Sequence, residues 1–154
     1  MTPITNPTAL ADQLTAAVRD ADRANQAMHE AGRITLTYQA DTTPWLSSQF
    51  ARLTAAMQNG TARYCPHLAH GPRVTFAAAW APGSLVCAQC APALAPDAAE
   101  DSTCDKCRRR VALLHARTAT FGPLIFAYGL CSGCDRSEPG GRQQARSRRR
   151  TARR

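Results

Sequence analysis

Most cysteines of this chain occur in close pairs, a spacing that suits metal binding. Cys104 and Cys107 are separated by two residues, and after twenty-three further residues Cys131 and Cys134 repeat that spacing. Each pair can wrap its own backbone around one metal ion, and the segment between the pairs is long enough for a hairpin that brings them together. The spacing therefore predicts a structural Zn²⁺ site with four thiolate ligands.

A second, slightly altered copy of this pattern lies earlier in the chain. Cys65 is followed by His67, and after nineteen residues come Cys87 and Cys90. His67 and His70 compete for the fourth position, and we favour His67 because Cys-x-His is a tight turn that suits one metal ion. Seven cysteines and one histidine supply eight ligands, the number that two tetrahedral Zn²⁺ ions require. The predicted metal ligands are Cys65, His67, Cys87, Cys90, Cys104, Cys107, Cys131 and Cys134.

The four ligand pairs can be divided between the two ions in two ways. Sequential pairing joins the first pair to the second and the third to the fourth, through local hairpins. Cross-brace pairing joins the first pair to the third and the second to the fourth. Sequential pairing closes shorter loops and costs less loop entropy, so we favour it.

The pattern around the cysteines does not suit a catalytic metal. A catalytic zinc ion usually has three protein ligands and an open position beside a carboxylate or histidine base. No His-x-Glu motif accompanies the later cysteine pairs. His115 could serve a metal-dependent nuclease, but nothing after Cys134 supplies the further ligands that such an enzyme needs. We therefore predict that the protein is not an enzyme.

The two halves of residues 61–138 resemble each other and a known type of zinc module. Each half has a ligand pair, a strand–turn–strand pattern and a second pair, and Leu85–Cys90 is similar to Gly129–Cys134. The predicted strands are 73–80 and 83–87 in the first half and 111–121 and 124–130 in the second. This arrangement, over Tyr64–Asp135, resembles the treble-clef and zinc-ribbon families, in which a knuckle is followed by a β-hairpin and a second ligand pair. It is also similar to small two-zinc proteins of actinobacteria and their phages. The resemblance implies a fold held together by Zn²⁺.

A long helix is predicted near the N-terminus. Residues 8–31 contain neither Gly nor Pro, are rich in helix-forming residues and place their apolar side chains near one face. Thr8 is the predicted N-cap, and Gly32 is expected to end the helix in a left-handed conformation. The alanine-rich stripe would pack against the body of the protein or, alternatively, form a homodimer through a helical hairpin.

A short strand and a second helix follow. Arg33–Tyr38 alternates polar and apolar residues and contains β-branched ones, which predicts a strand. Thr43 is the predicted N-cap of a second helix, with Pro44 in its first position and Gln58 near its end. Trp45 is expected to belong to the core.

The predicted fold class is α+β, with N-terminal helices followed by two small zinc units and a basic tail. The predicted segments are residues 1–60 (helix, strand, helix), 61–97 (first zinc unit), 98–138 (second zinc unit) and 139–154 (a disordered tail). The low aromatic content suggests a thin apolar core, and bound zinc would offset that weakness because it contributes folding free energy.

The positive charge of the chain is concentrated at its end. The formal net charge is +8, and residues 139–154 contain seven arginines and no acidic residue. A second basic group, Arg108–Arg110, directly follows the Cys104–Cys107 pair. Arginines bind phosphates without regard to sequence and with strong salt dependence. The arginines predicted to contact nucleic acid are Arg108, Arg109, Arg110, Arg142, Arg146, Arg148, Arg149, Arg150, Arg153 and Arg154.

These observations predict a zinc protein that binds DNA or RNA non-specifically through phosphate contacts. The alternative is a zinc-stabilised adaptor whose exposed helix and hairpin surfaces bind another protein. No apolar run is long enough to cross a membrane, and the N-terminus lacks the pattern of a secretory signal. We therefore expect a reduced, cytoplasmic protein.

Overall fold

A computed structural model describes residues 6–32, 34–37 and 43–139, and these form a mixed α+β fold, as predicted. The helices are α1 (Pro7–Glu30), α2 (Pro44–Gln58) and α3 (Ser132–Ser137). The strands are β1 (Thr35–Thr37), β2 (Arg63–Tyr64), β3 (Thr75–Ala78), β4 (Ser84–Cys87), β5 (His115–Phe121) and β6 (Leu124–Leu130). Short 3₁₀ helices cover Pro66–His70, Ala88–Leu94 and Glu100–Ser102.

The described strands form one sheet with the order β1-β5-β6-β3-β4-β2. The hairpins β3–β4 and β5–β6 are antiparallel, and they join side by side through parallel pairing of β3 with β6, where Phe76 lies opposite Ile125. The sheet is therefore continuous across the two predicted zinc units. None of the helices in the described part combines the length and apolar character that a membrane-spanning helix requires.

The helix ends follow local capping rules, and one predicted cap residue is wrong. Asn6, not Thr8, caps α1, because its side chain accepts a hydrogen bond from the backbone N–H of Thr8 and Pro7 takes the first helical position. Gly32 has the expected left-handed φ of 70°. Thr43 caps α2 as predicted, accepting from Leu46 N–H at 3.3 Å.

Two strands, β3 and β5, are shorter than the sequence patterns predict, whereas β6 covers the predicted range 124–130. The strand predicted for 111–121 begins only at His115, as β5, because the residues before it form a loop in which Val111 N–H donates to Ser102 O. The strand predicted for 73–80 is likewise shorter in the structure, where β3 covers only Thr75–Ala78. The predicted strand 33–38 is described only in part, as β1, since Arg33 and Tyr38 lie outside the described residues.

The two long helices pack on opposite faces of the sheet. Successive side chains of a strand point to opposite faces. On β5, Thr118 donates a hydrogen bond to Asn25 of α1, whereas Phe121 stacks on Phe50 of α2 with ring centroids 5.0 Å apart. Phe50 also meets Phe126 of β6 edge-on. The core between α2 and the sheet supports the two hairpins whose ends carry the cysteines.

Candidate metal centres

The first cluster of potential ligands consists of Cys65, His67, Cys87 and Cys90. Their ligand atoms all lie within 4.8 Å of one another. His67 Nδ1 is 3.3 Å from Cys90 Sγ and 3.7 Å from Cys87 Sγ. A tetrahedral zinc ion with ordinary Zn–S and Zn–N bonds separates its ligand atoms by about 3.5 to 3.8 Å. The two distances from His67 are therefore close to those of a tetrahedral zinc site, all four donors lie near enough to share one ion, and His70 is not among them.

Two adjacent strands and two 3₁₀ turns position this cluster. The chain leaves β2 beside β4, with Cys65 N–H donating to Leu85 O at 3.0 Å, and Cys87 N–H in turn donates to Cys65 Sγ at 3.2 Å. The turn Pro66–His70 then brings His67 back over the cysteines, and the turn after β4 does the same for Cys90. Backbone hydrogen bonds thus fix the distances between the ligands.

The second cluster consists of Cys104, Cys107, Cys131 and Cys134, whose Sγ atoms also lie within 4.8 Å of one another. Cys107 Sγ and Cys131 Sγ are 3.8 Å apart, which is about the S···S separation of a tetrahedral Zn–S₄ site. The structure therefore groups the eight residues sequentially, with each cluster assembled from the two ligand pairs at the ends of one hairpin.

A tight knuckle and the start of a helix position the second cluster. Arg108 has a left-handed φ of 58°, and its N–H donates to Cys104 O at 2.8 Å. Cys104 N–H donates to Arg109 O at 2.9 Å, which closes the loop around the first two thiols. Cys131 directly precedes α3, and Cys134 lies in its first turn.

The knuckle is tied to the end of β6 by Asp105. Asp105 N–H donates to Gly129 O at 2.9 Å, and Gly129 N–H donates to Asp105 Oδ2 at 2.7 Å. Burial raises the pKa of the Asp105 carboxyl to about 6, while the N–H of Gly129 and the charge of Arg108 oppose that rise. Cys104 directly precedes Asp105, and Cys131 follows Gly129 by two residues. These two hydrogen bonds therefore hold Cys104 close to Cys131.

Arg117 ties α3 to the sheet. Its side chain is buried, with Nε 2.7 Å from Asp135 Oδ1 and Nη1 donating to Pro139 O at 2.9 Å and to Thr37 Oγ1 at 3.3 Å. The carboxylate therefore neutralises the buried guanidinium. Asp135 follows Cys134 directly, so the ion pair fixes the helix turn that carries that thiol.

Close packing of the thiols makes their ionisation interdependent. The backbone N–H of Cys134 lowers the pKa of Cys131 to about 7. Burial and hydrogen bonding to Cys131 raise the pKa of Cys134 to about 12. At the first cluster, burial and Cys87 raise the pKa of Cys90 to about 11. Ionisation of one thiol therefore disfavours ionisation of its neighbour, because two thiolates repel each other, and a bound cation would offset this repulsion.

The donor set of both clusters suits a closed structural site. All seven cysteines, which lie in the described part of the chain, are free of disulfide bonds. Four thiolates, or three thiolates and one imidazole, are ligand sets that Zn²⁺ takes in structural sites. Four protein ligands leave no coordination position for a substrate.

The predicted nucleic-acid contacts divide into three groups. Arg108 already forms an ion pair with Glu100 at 3.1 Å and lies 3.6 Å from Asp105 Oδ1. Arg109 and Arg110 are exposed and make no ion pair with any described residue. The remaining arginines lie outside the described residues; they are Arg142, Arg146, Arg148, Arg149, Arg150, Arg153 and Arg154.

Comparison of the chain with protein-family models, with curated proteins and with solved structures finds no match. The resemblance to treble-clef and zinc-ribbon modules therefore depends on ligand spacing and local geometry, and it stays a prediction. The clusters themselves are a property of the fold and need no relative to support them.

Proposed function

We propose that this chain is a zinc protein that holds two structural Zn²⁺ ions and binds nucleic acid through arginine–phosphate contacts. The observation that carries the metal assignment is the pair of four-donor clusters, each with its ligand atoms within 4.8 Å of one another. Cysteine and histidine donors in closed sets of four favour Zn²⁺ over hard cations such as Mg²⁺ or Ca²⁺. When bound, each ion would cross-link the two ends of one hairpin.

The finer assignment is a treble-clef-like module at the second cluster. The knuckle supplies Cys104 and Cys107, the β5–β6 hairpin follows, and the start of α3 supplies Cys131 and Cys134. The first cluster departs from this arrangement, because a 3₁₀ turn with His67 replaces the cysteine knuckle and a second 3₁₀ turn replaces the helix.

The distribution of charge supports nucleic acid as the ligand. Seven of the nineteen basic residues lie in 139–154, and the rest of the chain has twelve basic against eleven acidic residues. Zinc-bound thiolates would add negative charge to the body. Affinity for phosphates would therefore come from the C-terminal arginines, with Arg109 and Arg110 as exposed cations on the body and Arg108 held by its ion pair.

Metal content and denaturation test the first part of the proposal. Purified protein should contain two zinc ions per chain by elemental analysis, and a strong chelator should unfold it, because structural zinc typically contributes on the order of 10 kcal/mol of binding free energy. Protein that contains no zinc, or that keeps its fold after chelation, would contradict the assignment.

A truncation tests the second part. The shortened chain should end at Gly141, since Arg117 needs the carbonyl of Pro139 and the first tail arginine is Arg142. Binding of mixed-sequence DNA and RNA should weaken steeply with salt in the full chain and be strongly reduced in the truncated one. Residual binding by the truncated chain should fall further in Arg109→Ala/Arg110→Ala but not in the control Arg19→Ala/Arg52→Ala.

The same binding experiment distinguishes a nucleic-acid-binding protein from the alternative, a protein-binding adaptor. An adaptor that binds a protein through apolar surfaces would show no nucleic-acid binding at physiological salt, and its partner complex would respond little to salt. We further infer a reduced, cytoplasmic setting and no catalytic activity, because closed thiolate sites need reduced cysteines and leave no open metal position.

A further inference from the structure

The first three turns of α1 extend beyond the part of the sheet that supports the helix. Ala17 and Ala21 are buried against the sheet, but residues 6–16 are all exposed. Leu10 and Leu14 lie on the same face as these alanines, at helical spacings of three, four and seven residues. The apolar stripe of α1 that faces the sheet therefore continues into residues 6–16, where no part of the described sheet covers it.

A groove of about 690 Å³ lies beside this uncovered stripe. The described part of the chain exposes six large apolar side chains, and four of them line this groove: Leu14 (45% exposed), Met57 (49%), Tyr64 (52%) and Phe121 (45%). Leu124 and Leu85 add buried apolar lining. A volume of this size, with an apolar lining, is typical of sites for small organic ligands.

Among the described residues that line the groove, Arg73 is the one that carries a charge. The residue is half-buried, its Nε is fully buried without a hydrogen-bond partner, and its guanidinium makes no ion pair within the described residues. A partly desolvated cation without a counter-charge is costly, and a bound anion would offset that cost.

We propose that this groove binds a small amphiphilic carboxylate, with its apolar body between Leu14 and Phe121 and its carboxylate on Arg73. A second copy of the chain fits the groove less well. Its exposed helical stripe would have to bring an acid to Arg73, but Asp12, the one acid in residues 6–16, lies about 200° around the helix from both leucines. The proposal is independent of nucleic-acid binding.

The test is titration of the zinc-loaded full chain with dodecanoate below its micelle-forming concentration, followed by calorimetry and amide NMR. We expect one saturable site, with shifts at Met57 and Tyr64. Arg73→Gln and Leu14→Gln should each weaken binding by about tenfold or more. Leu113→Gln is the matched control, because Leu113 is exposed but outside the groove. Zinc content should stay at two ions in each variant.

Dodecyltrimethylammonium, which has the same tail with a cationic head, should bind much more weakly than dodecanoate. Absence of saturable dodecanoate binding would overturn the proposal, and so would binding that neither Arg73→Gln nor Leu14→Gln weakens, since the tail arginines could then account for it. A dimer in analytical ultracentrifugation that Leu14→Gln dissociates would show that a second copy fills the groove, which also overturns the proposal.

Discussion

Each cluster of ligands is held in place by residues that are not ligands themselves. Leu85 O accepts a hydrogen bond from Cys65 N–H, Asp105 accepts one from Gly129 N–H, and Arg117 forms an ion pair with Asp135. A metal site gains affinity when its ligands are oriented before the ion arrives, because less conformational entropy is lost on binding. The supporting residues should therefore affect zinc affinity almost as the ligands do.

The two histidines near Cys65 provide the first residue-scale prediction. His67→Ala should reduce the zinc content of the protein from two ions per chain towards one in the presence of a competing chelator, because it removes one donor of the first cluster. His70→Ala is the control and should keep both ions. The opposite result, with His70→Ala losing the metal, would mean that the turn Pro66–His70 presents the other imidazole.

Asp105 provides a second prediction at this scale. Asp105→Ala leaves the N–H of Gly129 buried without an acceptor and should lower the free energy of unfolding of the zinc-loaded protein by about 1 to 3 kcal/mol. Asp105→Asn keeps a carbonyl acceptor and should cost less than about 1 kcal/mol. Urea unfolding of the two variants measures the difference, and equal losses would show that the charge of Asp105, not its acceptor, matters.

Ligand spacing indicated the same eight residues that the fold brings together, whereas the supporting residues left no signal in the sequence. Two cysteines with two residues between them can bind one metal ion through local backbone geometry alone, so the pair is recognisable without any tertiary contact. Asp105 and Arg117 bond to partners 24 and 18 residues away. In a single sequence, an isolated charged residue is most simply interpreted as a surface residue, and only the folded chain pairs it.

At the scale of the elements, α3 and the sheet are joined by a buried ion pair. Arg117→Met removes the partner of Asp135 and the donor to Pro139, so it should destabilise the protein by about 3 to 5 kcal/mol, the usual cost of breaking a buried pair. It should also weaken zinc at the second cluster, since Cys134 precedes Asp135. In a chelator competition, the zinc affinity of the control Arg136→Met, whose arginine is exposed, should be unchanged. Unaltered zinc affinity in Arg117→Met would mean that α3 holds its position without the pair.

Helix ends and hairpin turns followed from local chemistry, but the joining of the hairpins did not. Thr43, Pro44 and Gly32 act through bonds within a few residues, so their roles were visible in the sequence. The parallel pairing of β3 with β6 connects segments about fifty residues apart, and no turn residue specifies it. Long-range strand pairing is decided by packing of both helices on the common sheet, which a single sequence does not reveal.

At the scale of the whole molecule, one shared sheet connects the two candidate metal centres. β4 ends in Cys87 of the first cluster, and β6 ends next to Cys131 of the second. Between them lies β3, which pairs with both strands. Loss of one ion would loosen one hairpin and thereby the edge on which the other hairpin depends.

Coupling of this kind is reciprocal and typically changes affinity by about 5- to 150-fold. We therefore expect Cys107→Ser/Cys134→Ser, which removes two ligands of the second cluster, to weaken metal binding at the first cluster by at least about fivefold. Titration with Co²⁺ measures this directly, because its absorption spectrum distinguishes a three-thiolate, one-imidazole site from a four-thiolate site. Leu113→Gln, which changes an exposed side chain that belongs to neither cluster, serves as the control. If the first cluster keeps its full affinity in the double variant, the two hairpins behave as independent modules, and the parallel β3–β6 pairing carries no energetic coupling between them.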